Sequence, residues 1–205
     1  MARELVTAKV SDGVLVAERH ARLVLAATEL FLEQGFHKTS VREIANAVGW
    51  QMGTLYLYIS RKEDVLYLIS QSVMTELWDG LRALPEKDCA REALVDASRY
   101  FFRAVDRKRR EIKLIYRESA SLGPDHLEVV QETELKERDL FASLIKKGIA
   151  AGEFCGNDVD LIAHDIIMLA HMWALKGWAL HENLDLEAYT ERQLNLVLGR
   201  LTPTA

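Results

Sequence analysis

Residues 40–64 read SVREIANAVGWQMGTLYLYISRKED, and this stretch decides the fold. Ser40 and Glu43 stand three apart at the head of the apolar positions Val41, Ile44, Ala45 and Val48, which is the spacing of a capping box that opens a helix. Gly49 ends that helix, because glycine takes the left-handed conformation of a helix terminus without a Cβ penalty. A second helix is predicted from about 51 to 59, with Leu55 and Ile59 on its inner side. Gly53 sits inside it at a cost of about 1 kcal/mol relative to alanine. With Leu55 and Ile59 turned inward, Gly53 and Leu57 point outward and Thr54 and Tyr56 flank them. A missing side chain near an exposed helix N-terminus lets the backbone approach a partner closely, and the free N–H groups there favour anions. Two short helices joined by a tight glycine turn, the second presenting Gln51, Met52, Gly53, Thr54, Tyr56 and Tyr58, are what a helix-turn-helix needs to enter a DNA major groove.

Working outward, the helical period continues on both sides. Leu23, Ala27, Leu30 and Phe31 form the inner face of a preceding helix that stops near Gly35. Ser60 and Glu63 repeat the capping-box spacing and open a fourth helix through Val65, Leu66, Ile69 and Val73. Residues 17–62 therefore read as a three-helix DNA-binding domain around Phe31, Ile44, Val48, Leu55 and Ile59. Residues 1–16 form an N-terminal arm, either disordered or reaching a minor groove through Arg3 and Lys9. Residues 63–205 make a larger helical domain. Pro85, Pro124 and Pro203 all fall between helical segments, so the chain is all-α throughout. About six more helices are expected, among them 90–105, 111–121, 124–152, 158–181 and 186–201.

The chain has 205 residues, of which 49% are hydrophobic, enough to bury a real core. Its formal charge of −5 argues against binding nucleic acid by bulk electrostatics. Between His37 and Lys62, however, Lys38, Arg42, Arg61 and Lys62 face only Glu43, a local balance of +3. Cys89 and Cys155 are too few and too far apart for a disulfide framework, which places the chain in a reducing compartment, the cytoplasm. The N-terminal residues lack the apolar run of a signal peptide. The most apolar stretch, 166–175, lies between Asp165 and Lys176 and is too short to span a membrane. No Walker loop, dinucleotide glycine signature, GxSxG or HExxH occurs, so no enzyme is expected and no cofactor is implied.

The run LFLEQGFHKTSVREIANAVG followed by GTLYLYISRKEDVL closely resembles the N-terminal domain of TetR-family transcriptional regulators. The resemblance implies that Thr39, Arg42, Gln51, Met52, Gly53, Thr54, Tyr56, Tyr58 and Lys62 face DNA. By their chemistry Thr39, Tyr56, Tyr58 and Lys62 suit phosphates, whereas Gln51 suits adenine and Met52 a thymine methyl. The family often carries lysine where this chain has Met52, so its operator preference does not transfer. It also implies a homodimer on a pseudo-palindrome with half-sites about 34 Å apart or slightly more. In the family the last two helices form the dimer interface, and Ile166, Ile167, Leu169, Ala170, Trp173, Leu194, Val197 and Leu198 supply suitable apolar surface.

Three features bear on the effector. Arg107, Lys108, Arg109, Arg110, Lys113 and Arg117 concentrate positive charge where two helices meet, which suits phosphates or is a solvated turn. IYRESASLGP and MWALKGWAL resemble the effector domain of TetR-type regulators of fatty-acid degradation, which implies a long-chain acyl-CoA that releases a repressor from its operator. The alternative is another hydrophobic or cationic small molecule. Candidate ligand residues are Phe101, Phe102, Leu114, Ile115, Leu144, Met168, Met172, Trp173 and Trp178 for an apolar tail, with Arg109 and Arg110 for phosphates; the same aromatics and methionines at helical spacing also suit a plain core. Third, His164 and His171 are two helical turns apart, about 10 Å, too far to share one metal ion directly, so no metal site is expected.

Overall fold

The structure, a computed structural model, describes residues 5–156, 158–180 and 183–202. Among them the helical period becomes nine α-helices and no strand: α1 (Gly13–Gln34), α2 (Val41–Ala47), α3 (Met52–Leu55), α4 (Lys62–Arg82), α5 (Ala90–Arg107), α6 (Arg109–Glu118), α7 (Pro124–Ala150), α8 (Val159–Lys176) and α9 (Leu186–Leu201). Five helices follow α4, against the six or so expected, and the segment expected as one helix over 158–181 ends its α-helix at Lys176 with a 3-10 turn over 177–179. The all-α expectation is met in full. No described helix is long and apolar enough to cross a membrane.

The chain divides into two units, residues 1–74 with 113–131 and residues 75–112 with 132–205. This division falls within α4, α6 and α7, whereas the sequence suggested a single boundary near residue 62. The apolar face of α4 continues the first unit's core through Val65, Leu66 and Ile69, so the boundary at the start of that helix is not where packing ends.

In the first unit Leu23, Ala27, Phe31, Ile44, Val48, Leu55 and Ile59 are buried, as the helical wheels require. Phe36 adds an edge-to-face contact with Phe31 at 5.1 Å, and Tyr67, Leu114, Leu122 and Val130 complete the cluster. The described part of the N-terminal arm packs against this unit. Val6 is buried in the same cluster, and the Lys9 amide donates to the Leu57 carbonyl at 2.7 Å. The arm ends at Asp12, whose carboxylate caps α1 by accepting from the Val14 and Leu15 amides. Arg3 lies outside the described residues.

In the second unit α5, α8 and α9 pack together around Phe101, Phe102, Ile166, Ala170, Leu194 and Val197. Two bidentate ion pairs, Arg99 to Glu191 and Arg103 to Glu187, run along the outside of the α5–α9 contact. Glu153 caps α5 from the far end of α7, accepting from the Ala90 and Arg91 amides and from the Cys89 thiol, and these bonds hold its carboxyl below the usual range. Both cysteines are free thiols.

Candidate functional site

The helix-turn-helix is built by local chemistry. Ser40 accepts from the Glu43 amide, and Glu43 accepts in return from the Ser40 amide and hydroxyl, so the capping box is complete. At the other end of α2 the Trp50 amide reaches the Ala45 carbonyl and the Gly49 amide reaches Asn46, with Gly49 at φ +72°. That is a Schellman turn, and it aims the chain directly into α3. The recognition helix is shorter than expected, four residues rather than nine, since beyond Leu55 the backbone tightens into turns through Tyr58. A Cβ built on Gly53 meets no atom within 4 Å, so the glycine faces open space as the wheel requires.

The residues assigned to DNA separate into two groups. Gln51, Gly53 and Tyr56 are exposed with Met52 and Thr54 half-buried between them on one contiguous segment, and Arg42 is exposed on α2. Thr39, Tyr58 and Lys62 are engaged within the chain. Thr39 is 1% exposed and its hydroxyl donates to the Gly35 carbonyl at 2.8 Å. Tyr58 is 5% exposed, with its ring 5.4 Å from that of Trp50. Lys62 directs its ammonium at the Phe36 and Thr39 carbonyls, at 2.7 and 2.9 Å, and lies 4.4 Å from the Phe36 ring centre. The lysine closes the segment between α1 and α2, a structural engagement that its charge alone did not suggest. The cap of α4 is also corrected: Asp64, not Glu63, accepts from the Ser60 and Arg61 amides.

Sequence reasoning missed Trp50. Its ring lies under the guanidinium groups of Arg19 and Arg22 at 5.2 and 5.6 Å, and Arg22 also donates to the Val48 carbonyl at 3.1 Å. The His20 ring meets the Tyr58 carbonyl at 2.9 Å. These α1 side chains brace the turn and both ends of α3. The spacing of Arg19 and Arg22 on one face of α1 was the available signal, but only the fold brings Trp50 to them.

Within each unit the candidate effector residues are divided between core and surface. Phe101, Phe102 and Trp173 are buried in the second unit's core, where the Trp173 indole donates to Asp106 at 2.9 Å and stacks near Tyr189 at 5.0 Å. Leu114 belongs to the core of the first unit, and Ile115 lies half-buried on the same helix segment. Met168 is half-buried, and Met172 and Trp178 are exposed, Trp178 at 67%. Leu144 lines an open cleft of about 230 Å³ with Leu81, Leu84, Ala93, Ala97 and Leu140. The basic run is divided as well. Lys108 pairs with Glu76 at 2.8 Å, Arg109 approaches Asp106 at 3.8 Å and Arg110 is exposed, all in the second unit. Arg117, in the first unit, is taken by the buried Glu118 at 2.7 Å. Among the described residues no three metal-ligating side chains converge.

The surface expected to pair two copies is also largely used within the chain. Ile166, Ile167, Ala170, Trp173, Leu194, Val197 and Leu198 are buried, and Leu169 is half-buried. What remains uncovered on the same helices is Leu161, Met172 and Leu196.

Comparison with known proteins agrees with this architecture. Residues 23–67 match the model of bacterial regulatory proteins of the tetR family, and residues 87–178 match the tetracyclin repressor-like C-terminal domain. The transcriptional regulator HbdR of Aromatoleum sp. (strain CIB) is 30% identical over 196 residues, which covers 95% of this chain and 86% of that protein. A fatty acid metabolism regulator protein of Bacillus subtilis (strain 168) is 25% identical over 201 residues, covering 88% of this chain and 94% of that one. Among solved structures, a tetR-family regulatory protein from Rhodococcus RHA1 superposes with a TM-score of 0.79 at 24% identity, covering 91% of this chain and 98% of the other. With its glycine-faced recognition helix, both family domains in order and a relative 30% identical over 95% of the chain, this protein belongs to the TetR family of transcriptional regulators.

Proposed function

We propose that this regulator is a cytoplasmic homodimeric repressor that binds a palindromic operator and is released by a long-chain acyl-CoA. The DNA contact is made by Gln51, Met52, Gly53, Thr54 and Tyr56, with Arg42 on the adjoining helix; Gly53 carries this reading, because nothing lies within 4 Å of its missing side chain. Gln51 and Met52 read base edges, and Tyr56 and Arg42 hold phosphates. The dimer forms on the uncovered apolar residues of α8 and α9, where Leu161, Met168 and Met172 recur on one face of α8 and Leu196 stands on α9. An Arg200 to Asp165 ion pair joins those two helices beside that surface.

The effector assignment is supported by likeness to the fatty acid metabolism regulator along almost the entire chain. The cleft around Leu144 offers about 230 Å³, less than the roughly 300–1,000 Å³ of ordinary small-molecule sites. A long tail therefore enters only by separating helices, and a ligand that prefers separated helices shifts the dimer away from its DNA-competent form. Operator fragments are obtained by selecting bound genomic DNA, and fluorescently labelled operator complexes are then titrated with acyl-CoAs of rising length. Each buried methylene contributes about 0.8 kcal/mol, roughly fourfold in affinity, until the site is full. Release independent of chain length, or release by a cationic dye instead, overturns the acyl-CoA assignment.

A further inference from the structure

A buried carboxyl in the core of the second unit has one oxygen without a hydrogen bond. Glu134, Glu137 and Phe141 share one face of α7 by their i, i+3, i+7 spacing. Glu137 is 2% exposed, and its Oε1 accepts no hydrogen bond. Phe101 of α5 ties this face to α8, with its ring 5.7 Å from Phe141 and 6.0 Å from the buried imidazole of His171. His164, two turns earlier on α8, interacts electrostatically with Glu134 and with His171. Among the described residues no lysine or arginine pairs with Glu134 or Glu137.

As packing alone this arrangement is unfavourable. An apolar residue of similar volume fills such a site with greater stability than a carboxyl with an open oxygen. Departures of this kind from good packing mark functional sites. We infer that Glu137 is the hydrogen-bonding anchor for a neutral oxygen function, a hydroxyl or carbonyl, on an apolar ligand held among α5, α7 and α8. This rests on the reading of the chain as a ligand-responsive regulator and narrows the chemistry of what it senses. Burial, with Glu134 adding to it, pushes the Glu137 carboxyl up to about 8, so at neutral pH it is protonated and donates to a carbonyl or hydroxyl oxygen. Burial also takes His171 down to about 4, so the imidazole is neutral. With both groups neutral, neither offers a charge to a small ion, and a ligand carboxylate brought beside Glu137 loses its hydration without gaining a cation from either.

The test uses three eight-carbon probes on the full chain at pH 7: 1-octanol, octanoate and octylamine at matched concentrations. Octanol is expected to raise the melting temperature and the other two are not. Glu137→Leu removes the octanol shift while raising the ligand-free melting temperature, and Glu137→Gln, which keeps a donor, retains the shift and serves should the leucine variant fold poorly. An absent octanol shift, or an equal shift in Glu137→Leu, overturns the inference. A larger shift with octylamine assigns an ion-pairing site and also overturns it, as does an octanoate shift equal to that of octanol. None of the probes carries coenzyme A and no operator is present, so the outcome is separate from the acyl-CoA reading. Operator release by palmitoyl-CoA tests that reading on its own, so the failure of either leaves the other standing.

Discussion

Lys62→Met distinguishes a lysine that closes the fold from one that holds DNA. The ammonium donates to the Phe36 carbonyl at 2.7 Å and the Thr39 carbonyl at 2.9 Å, with a longer approach to His37 at 3.4 Å. Hydrogen bonds to a charged group contribute about 1.5–3 kcal/mol each, and the Phe36 ring, 4.4 Å away, adds about 0.5–1 kcal/mol. Water reaches part of the vacated site, and methionine recovers the rotamer entropy that the fixed lysine loses, so the net cost is about 2–3 kcal/mol. At about 2–4 °C per kcal/mol for a chain of this size, melting should fall by about 4–12 °C. Urea unfolding followed by far-UV circular dichroism should show a lower midpoint with an unchanged slope. Operator affinity, corrected for the folded fraction, should keep its salt dependence. A stability loss below about 0.5 kcal/mol together with a salt slope flattened by about one unit per half-site refutes the structural role and returns Lys62 to the phosphate backbone.

Gly53→Val should leave melting within about 0.5 kcal/mol of wild type, because the added side chain meets nothing, yet abolish operator binding in an anisotropy assay; wild-type affinity would displace α3 from the groove. Leu196→Glu, which puts a charge where leucine is 66% exposed, should leave the fold intact and shift sedimentation from dimer to monomer, and an undisturbed dimer places the interface elsewhere. Glu137 and His171 give opposite pH slopes. The raised Glu137 pKa makes the folded state hold the extra proton, so its contribution is complete below about 4.5 and is lost as pH rises toward 8, whereas the lowered His171 pKa costs stability as pH falls below about 6.5 toward 4. Between pH 6.5 and 8 only the first acts, and urea unfolding should show wild-type stability falling by up to about 1.4 kcal/mol per pH unit relative to Glu137→Gln. Parallel pH profiles for the two proteins would show that Glu137 does not titrate there.

The helix-turn-helix was legible in the sequence because everything that builds it is local. The capping box of Ser40 and Glu43, the left-handed Gly49 and the outward Gly53 are each fixed within a turn or two of backbone, and all three stand in the structure as the spacing requires. The core positions Phe31, Ile44, Leu55 and Ile59 follow from helical period alone. The same reasoning does not settle which polar residues are already engaged within the chain. A threonine, tyrosine or lysine beside a recognition helix suits a phosphate by its chemistry, but Thr39, Tyr58 and Lys62 are claimed by Gly35, Trp50 and the carbonyls of Phe36 and Thr39. Period likewise marks an apolar face without saying what covers it. Most of the α8 and α9 residues that looked free for a second copy are buried within the chain, and of the aromatic residues assigned to a tunnel Phe101, Phe102 and Trp173 fill the interior while Trp178 is exposed. Local sequence determined which segments are helices, where they begin and turn, and which face of each is apolar, because capping and side-chain period act over a few residues. Only the tertiary structure decided which charges and rings are already satisfied, because that depends on partners tens of residues distant, and it alone revealed Glu137 as a buried carboxyl with an open oxygen.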